Sequence, residues 1–178
     1  QAYLSQRLTY MLQARLDLQC IQGTGVTPLL MGTNAVVSTN VQAKGADPTP
    51  DAIYKAMVLV RSVGFAEPTI VFIHPNDWQD IRLLRTADCI YIFGSPMDSG
   101  QERIWGVPVH VTTAALEHTA TLGDYTRYAA IHYKRGITIA VSDSHAYYFT
   151  RGTLAVRADM RVAVVHVRET AFARVTGI

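Results

Sequence analysis

Cysteine is scarce in this chain: Cys20 and Cys89 are the only two among 178 residues. They form no C-x-x-C pair, and no N-x-[ST] sequon occurs. A disulfide-stapled scaffold is excluded, and the usage points to a reducing, intracellular setting. Long apolar runs are also missing. No stretch approaches the roughly 20 residues that span a bilayer, and no signal-peptide pattern opens the chain. Charge of one sign is missing too. Sixteen Lys and Arg face fourteen Asp and Glu, for a net charge of +2, and the longest basic run is Lys134-Arg135. A strong nucleic-acid binder carries a heavier basic footprint. No internal repeat and no low-complexity segment is visible.

What remains is globular. Apolar residues make up 49% of the chain, which excludes disorder. A chain of this length buries about 70% of its unfolded surface and needs no covalent staple. It suits one domain or two small lobes. Residue 1 is Gln rather than Met, and Leu4, Leu8, Met11 and Leu12 already recur at helical spacing. The spacing predicts a helix over 2–21 that ends at Gly23. No capping residue introduces it, so the expectation is a fragment whose natural chain continues upstream.

Residues 23–50 are rich in Gly, Thr, Asn and Pro and read as a long surface loop with one short strand. A second helix follows, with Thr49 as its cap, Pro50 in the first turn, and Gly64 as its left-handed stop. Ile53, Met57, Val60 and Val63 form its apolar stripe. "TIVFI" (69–73) is apolar on both faces, the pattern of a central strand.

The segment "HPNDWQDIRLLRTADCIYIFGSP" (74–96) gathers a histidine, aspartates, arginines and a cysteine. As architecture it is a helix with Pro75 and Asp77 in its first turn and Trp78, Ile81 and Leu84 on the docking face. As chemistry, Asp77 and Asp80 share a helical face near His74, but no further ligands lie close in sequence, and the capped helix is the preferred reading. Strands are expected at 107–113, 120–125, 128–133 and 136–142. From Leu154 to Val164 apolar even positions alternate with charged Arg157, Asp159 and Arg161. That run is about twice the usual strand length, so it projects beyond one compact sheet.

Tests for catalysis give little. His110, His132 and His166 sit in predicted strands without metal-ligand spacing. "SDSH" (142–145) holds triad residue types but no nucleophile elbow. "GTG" (23–25) lacks the Lys-Ser/Thr of a phosphate loop, and Cys89 has no basic neighbour to activate it. No enzyme, cofactor or metal is expected.

Taken in order, "TPDAIYKAMVLVRSVGF", "PTIVFIHPNDWQDIRLLRTADCIYIFGSP", "RIWGVPVHVTTA", "TLGDY" and "LAVRADMRVAVVHVRETAFARVT" resemble the major capsid proteins of tailed bacteriophages, the Hong Kong 97 fold. The resemblance covers nearly the whole chain. It implies an α+β fold with an axial lobe, helices around a central mixed sheet, and a peripheral lobe, a spine helix with a long β-hairpin. The implied boundaries are 1–23 for the truncated spine helix, 24–135 for the axial domain, 136–161 for the peripheral hairpin and 162–178 for the return into the axial domain. The N-terminal arm and extended loop of the family have no counterpart in these residues.

The implied function is a head protein that forms pentamers and hexamers of itself and closes an icosahedral shell around double-stranded DNA. DNA contact is expected to be non-specific. Scaffold, protease and portal proteins are the implied further partners, with no membrane. The implied location is the virion, assembled in the bacterial host cytoplasm. The alternative is an encapsulin-type protein nanocompartment. Some family members cross-link a loop lysine to a hairpin asparagine with help from an acid. Here the asparagine position falls on Gly152, after Arg151, and the acid position on Asp159, so no cross-link through this site is expected. Arg157, Asp159 and Arg161, with Arg151 and Gly152, are the candidate subunit-interface residues; a solvated face of self-paired charges is the alternative. His74, where the family often has Asn, is expected to be the poorer cap by about 1 kcal/mol. Cys89, where it often has Gly, marks a second departure.

Overall fold

A computed structural model describes residues 2–37, 40–86, 88, 90–93, 102–144 and 147–178. Helix α1 (Ala2–Gln22) leads into the short α2 (Thr33–Val36) and β1 (Val41–Ala43). Helix α3 (Thr49–Ser62), β2 (Ile70–Ile73) and α4 (Pro75–Arg82) follow. Then come β3 (Arg103–Ile104), β4 (Val107–Val111), β5 (Thr119–Gly123) and α5 (Tyr125–Tyr128). The long strands β6 (Ala129–Ser142) and β7 (Ala155–His166) flank α6 (Tyr148–Arg151), and a 3-10 turn (Glu169–Ala171) leads to β8 (Phe172–Thr176).

Two sheets result. The first is mixed and six-stranded, in the order β1-β8-β5-β2-β4-β3. Neighbours β1–β8 and β2–β4 run parallel, and the remaining pairs run antiparallel. The second is the two-stranded ribbon β6–β7.

Helix α3 covers one face of the large sheet. Its Ala52, Ile53, Ala56, Met57 and Val60 are fully buried, the i, i+4, i+8 pattern of a docked helix. They meet Ala173 and Val175 of β8 and Ala120 and Leu122 of β5 in one core cluster. Each large apolar side chain there contributes about 1.5–3 kcal/mol by leaving water. The opposite face is aromatic. Phe72, Tyr125 and Phe172 stack edge to face with centroids 5.0 Å apart in each successive pair, and His166 joins Phe172 at 5.3 Å. Gly123 lies opposite Phe172 in the ladder. A Cβ there would fall 2.6 Å from the Phe172 ring, so this position accepts only glycine.

Several expectations need correction. The α3 cap is Pro48, whose side chain offers no hydrogen bond, and Thr49 is the first helical residue. The left-handed residue after α3 is Phe65, at φ 48°, not Gly64. Gly64 is required for closeness instead: a Cβ would lie 2.2 Å from the Thr170 carbonyl oxygen. The expected strands 128–133 and 136–142 are one strand, β6, whose register shifts around Arg135 rather than breaking at Gly136. In α1 the docked residues are Leu16 and Ile21, while Leu4 and Met11 are exposed. Helix α4 ends at Arg82, so Leu84 is half-buried beyond it.

Candidate functional site

The β6–β7 ribbon carries the largest concentration of candidate residues. Fourteen and twelve residues long, these strands stand apart from the core, and most of their side chains are exposed. Pairing fixes which charges meet. Arg135 lies directly opposite Arg161, and Thr138 opposite Asp159. Asp159 forms an ion pair with Arg135 and a second with Arg157, whose Nε is 3.3 Å from Oδ1. Arg161 has no ion pair among the described residues. Lys134, Arg135 and Arg161 line an open cleft of ≈ 410 Å³.

The structure thus brings Asp159 and Arg157 together, adds Arg135, and places Arg161 beside them. Arg151 and Gly152 sit elsewhere, at the connection between the strands. Arg151 ends α6 and Gly152 is its left-handed cap at φ 63°. Among the described residues, its chain neighbours aside, no atom lies within 4 Å of where a Gly152 Cβ would stand. Lys134 and Arg135 were not among the sequence candidates. Their signal was their adjacency, the longest basic run in the chain, but only the register shows what faces them.

The face holds four cations against one carboxylate. That excess is larger than the net charge of the whole chain, +2. The geometry suits recognition of anionic groups by guanidinium, which presents its donors in a fixed fork.

The other residues singled out by sequence are dispersed. His74 caps α4 with its ring, Nδ1 accepting the Asn76 N–H at 3.3 Å. Asp77 and Asp80 do not share an environment: Asp77 is buried and Asp80 exposed. The Asp77 carboxylate accepts the His118 N–H at 2.8 Å. Burial pushes its pKa up, against the opposing pull of His118. His110 packs on Phe72, His132 lies on the exposed ribbon opposite Ala163, and His166 bonds Thr33 at 3.1 Å. Ser142 and Ser144 bond each other at 2.7 Å. His145 and Cys89 lie outside the described residues. Among the described residues, no group of three His, Cys, Asp or Glu is placed to hold a metal ion. Among the described residues, no helix is long and apolar enough to cross a membrane.

This architecture recurs in known proteins. The chain is 31% identical to the major capsid protein of Enterobacteria phage HK97 over 179 residues, covering 99% of this chain and 46% of that protein. It therefore spans about half the length of the curated relative it matches. The capsid of a native GTA particle superposes with a TM-score of 0.78 at 14% identity, over 98% of this chain and 70% of that one. Microbacterium phage Oxtober96 gives a TM-score of 0.74 at 18% identity, over 93% and 62%. The holo-SrpI encapsulin complex from Synechococcus elongatus gives 0.68 at 16% identity, over 100% and 66%. The α+β fold is that of the Hong Kong 97-type capsids. The family model described as the phage capsid family matches residues 1–177, and the chain belongs to that family.

Proposed function

We propose that this chain acts as a major capsid protein, building an icosahedral shell of pentamers and hexamers around the double-stranded DNA of a tailed phage or prophage. The observation that carries this reading is the 31% identity to a major capsid protein across 99% of the chain. The role is structural rather than catalytic, and its site is the virion, assembled in the host cytoplasm. Scaffold, protease and portal proteins are its partners by the same reading.

The two-lobe division is part of the proposal: an axial lobe of 24–135 and 162–178, and a peripheral lobe of 1–23 and 136–161. Two separate sheets support it. The ladder between β6 and β7, from Ala129 to His166, then runs through both boundaries and ties the lobes covalently and by hydrogen bonds.

Within such a shell, the cationic face of Arg157, Asp159 and Arg161, extended by Lys134 and Arg135, meets carboxylates of a neighbouring subunit. Closed rings multiply weak contacts of this kind. Arg151 and Gly152 belong to the same interface at the turn. Gly152 has no carboxamide to accept a lysine, so no covalent link forms there; mass spectrometry of digested shells checks this, and a lysine adduct at residue 152 refutes it.

Electron microscopy of the full-length product tests the function. Closed icosahedral shells containing DNA are expected, and a product that never closes into shells overturns the reading. The TM-score of 0.68 over the whole chain with an encapsulin favours a second reading, a protein nanocompartment. Shells that enclose protein cargo and no DNA would establish it.

A further inference from the structure

Helix α3 ends on an aromatic residue where its backbone suits glycine. The Ala66 N–H reaches back to the Val60 carbonyl oxygen at 3.3 Å, the closing bond of a Schellman turn, and Phe65 holds the left-handed position at φ 48°. Glycine is the usual occupant there because a Cβ is penalised. Phe65 gains little from its own chain in return, because it is 79% exposed.

A second aromatic residue near the other end of α3 has the same backbone conformation. Trp105 and Gly106 turn between β3 and β4 with φ of 50° and 82°, a turn that favours Asn-Gly. Here the side chain has a role. The indole Nε1–H donates to the Pro50 carbonyl oxygen at 2.9 Å, and the ring packs on Tyr54 with centroids 5.1 Å apart. So held, Trp105 forms one wall of a pocket of ≈ 520 Å³ with Pro48, Pro50, Leu84 and Ile104. Asp51 is the one charged residue on its lining, and it has no ion pair among the described residues.

We infer that this pocket receives Phe65 of a second copy of this chain. Size agrees: about 150 Å³ of apolar space holds benzene, so a phenyl ring enters with room to spare. Charge agrees as well. Helix α3 carries Asp51 in its first turn and Arg61 in its last. Arg61 gives its Nε–H to Glu67 at 2.9 Å, and its terminal NH2 groups remain for the Asp51 carboxylate of the next copy. The Phe65 knob and the pocket lie at opposite ends of one helix of 14 residues, about 21 Å long, so a chain cannot fill its own pocket. Each copy gives Phe65 to one neighbour and takes it from another. Contacts between unlike surfaces generate rings when the rotation closes; that ring form rests on the shell reading, whereas the contact itself does not.

The test oxidises the full-length Asp51→Cys/Arg61→Cys variant, which keeps Phe65. Their separation along α3 puts the two thiols about 15 Å apart within one chain, beyond disulfide reach, so a bond between them joins two copies. A reducible ladder from dimers up to a closed pentamer or hexamer is expected. Neither single variant is expected to show it, which also controls for Cys20 and Cys89. Absence of the ladder, or a ladder that stops at dimers, overturns the inference. Phe65→Gly suits the left-handed turn, so its melting temperature is expected to hold or rise, while assembly weakens at least about tenfold through loss of one buried aromatic side chain. Normal assembly of this variant also overturns the inference. Electron microscopy of the wild type separates the two readings. Shells without the ladder remove the contact and leave the shell reading standing, whereas a ladder without closed shells does the reverse.

Discussion

Arg135 and Arg161 face each other directly across the β6–β7 ladder. Like charges in that position destabilise a strand pair. Asp159, two residues from Arg161 on the same strand, offsets this by pairing with Arg135 and with Arg157. Each of these exposed ion pairs contributes little to folding by itself. Their combined effect is positional: Asp159 is consumed within the chain, and Arg161 is left with its charge unpaired among the described residues. The expected interface residue with the most to offer a partner is therefore Arg161 rather than Asp159.

Arg161→Glu separates interface from fold. The side chain is exposed, and the substitution removes the Arg135–Arg161 opposition. Folding stability is expected to change by less than about 0.5 kcal/mol, as for most surface positions. Assembly of the full-length protein is expected to fail or slow strongly, because a cation that meets a neighbour's carboxylate becomes an anion. Denaturant melts and electron microscopy read the two effects. Normal shells from this variant refute the contact. Asp159→Lys is the less selective change, because it also strips Arg135 and Arg157 of their partner.

Gly64 and Gly136 make a contrast that tests the packing directly. At Gly64 a Cβ would meet the Thr170 carbonyl oxygen at 2.2 Å and the Val60 carbonyl oxygen at 2.5 Å, both backbone atoms. Gly64→Ala is expected to destabilise by about 3 kcal/mol through forced backbone movement. At Gly136 an added Cβ would meet no atom within 4 Å among the described residues beyond its chain neighbours, and the residue sits in a strand, where Ala is favoured over Gly by about 0.5–1 kcal/mol. Gly136→Ala is expected to be neutral or slightly stabilising. Chemical denaturation of both variants checks the pair.

These two glycines also mark where the sequence is legible. The stripe of Ile53, Met57 and Val60 and the continuous apolar run of β2 could be read because local periodicity reports a buried face. Pro75 marked the start of α4 for the same local reason. Gly64 was read as a left-handed stop, yet its constraint comes from Thr170, more than 100 residues away, while Phe65 takes the left-handed conformation. Leu4 and Met11 recur at helical spacing, but periodicity does not say what covers a face, and here they are exposed. The candidate site was half legible. The charges at 157, 159 and 161 stood out in one strand, while Lys134 and Arg135 depended on a register that no local pattern specifies.

Asp77 gives a pH-dependent prediction. Its side chain is 3% exposed, and burial raises its pKa above the ordinary 3.8. A carboxyl group whose folded pKa is raised binds its proton more readily in the native state, so its contribution to stability is largest at acid pH and is lost as pH rises through that folded value. Asp77→Asn keeps an oxygen to accept the His118 N–H and does not titrate. Wild type is therefore expected to lose stability relative to Asp77→Asn as pH rises from 4 toward neutrality. Melting temperatures of both proteins across that range measure the difference. A gap between them that stays constant with pH refutes it.

His166 gives the opposite sign at the base of the ribbon. Burial lowers its pKa below the ordinary 6.5, so the native state favours the neutral ring. Its contribution is fully present above about pH 6.5 and is lost as pH falls through the interval down to the folded value. The facing groups do not blur this window. Cys20 and Tyr125 both have raised pKa values and stay neutral below pH 7, Phe172 does not titrate, and Thr33 supplies only a hydroxyl. Protonation places a cation among apolar walls. The ladder from Ala129, paired with His166, to Ile131, paired with Val164, is expected to lose hydrogen-exchange protection between pH 7 and 5. In His166→Gln that extra loss is expected to vanish, after correction for the intrinsic exchange rate. Protection that falls equally in both proteins would show that another group governs how the ribbon is held to the sheet.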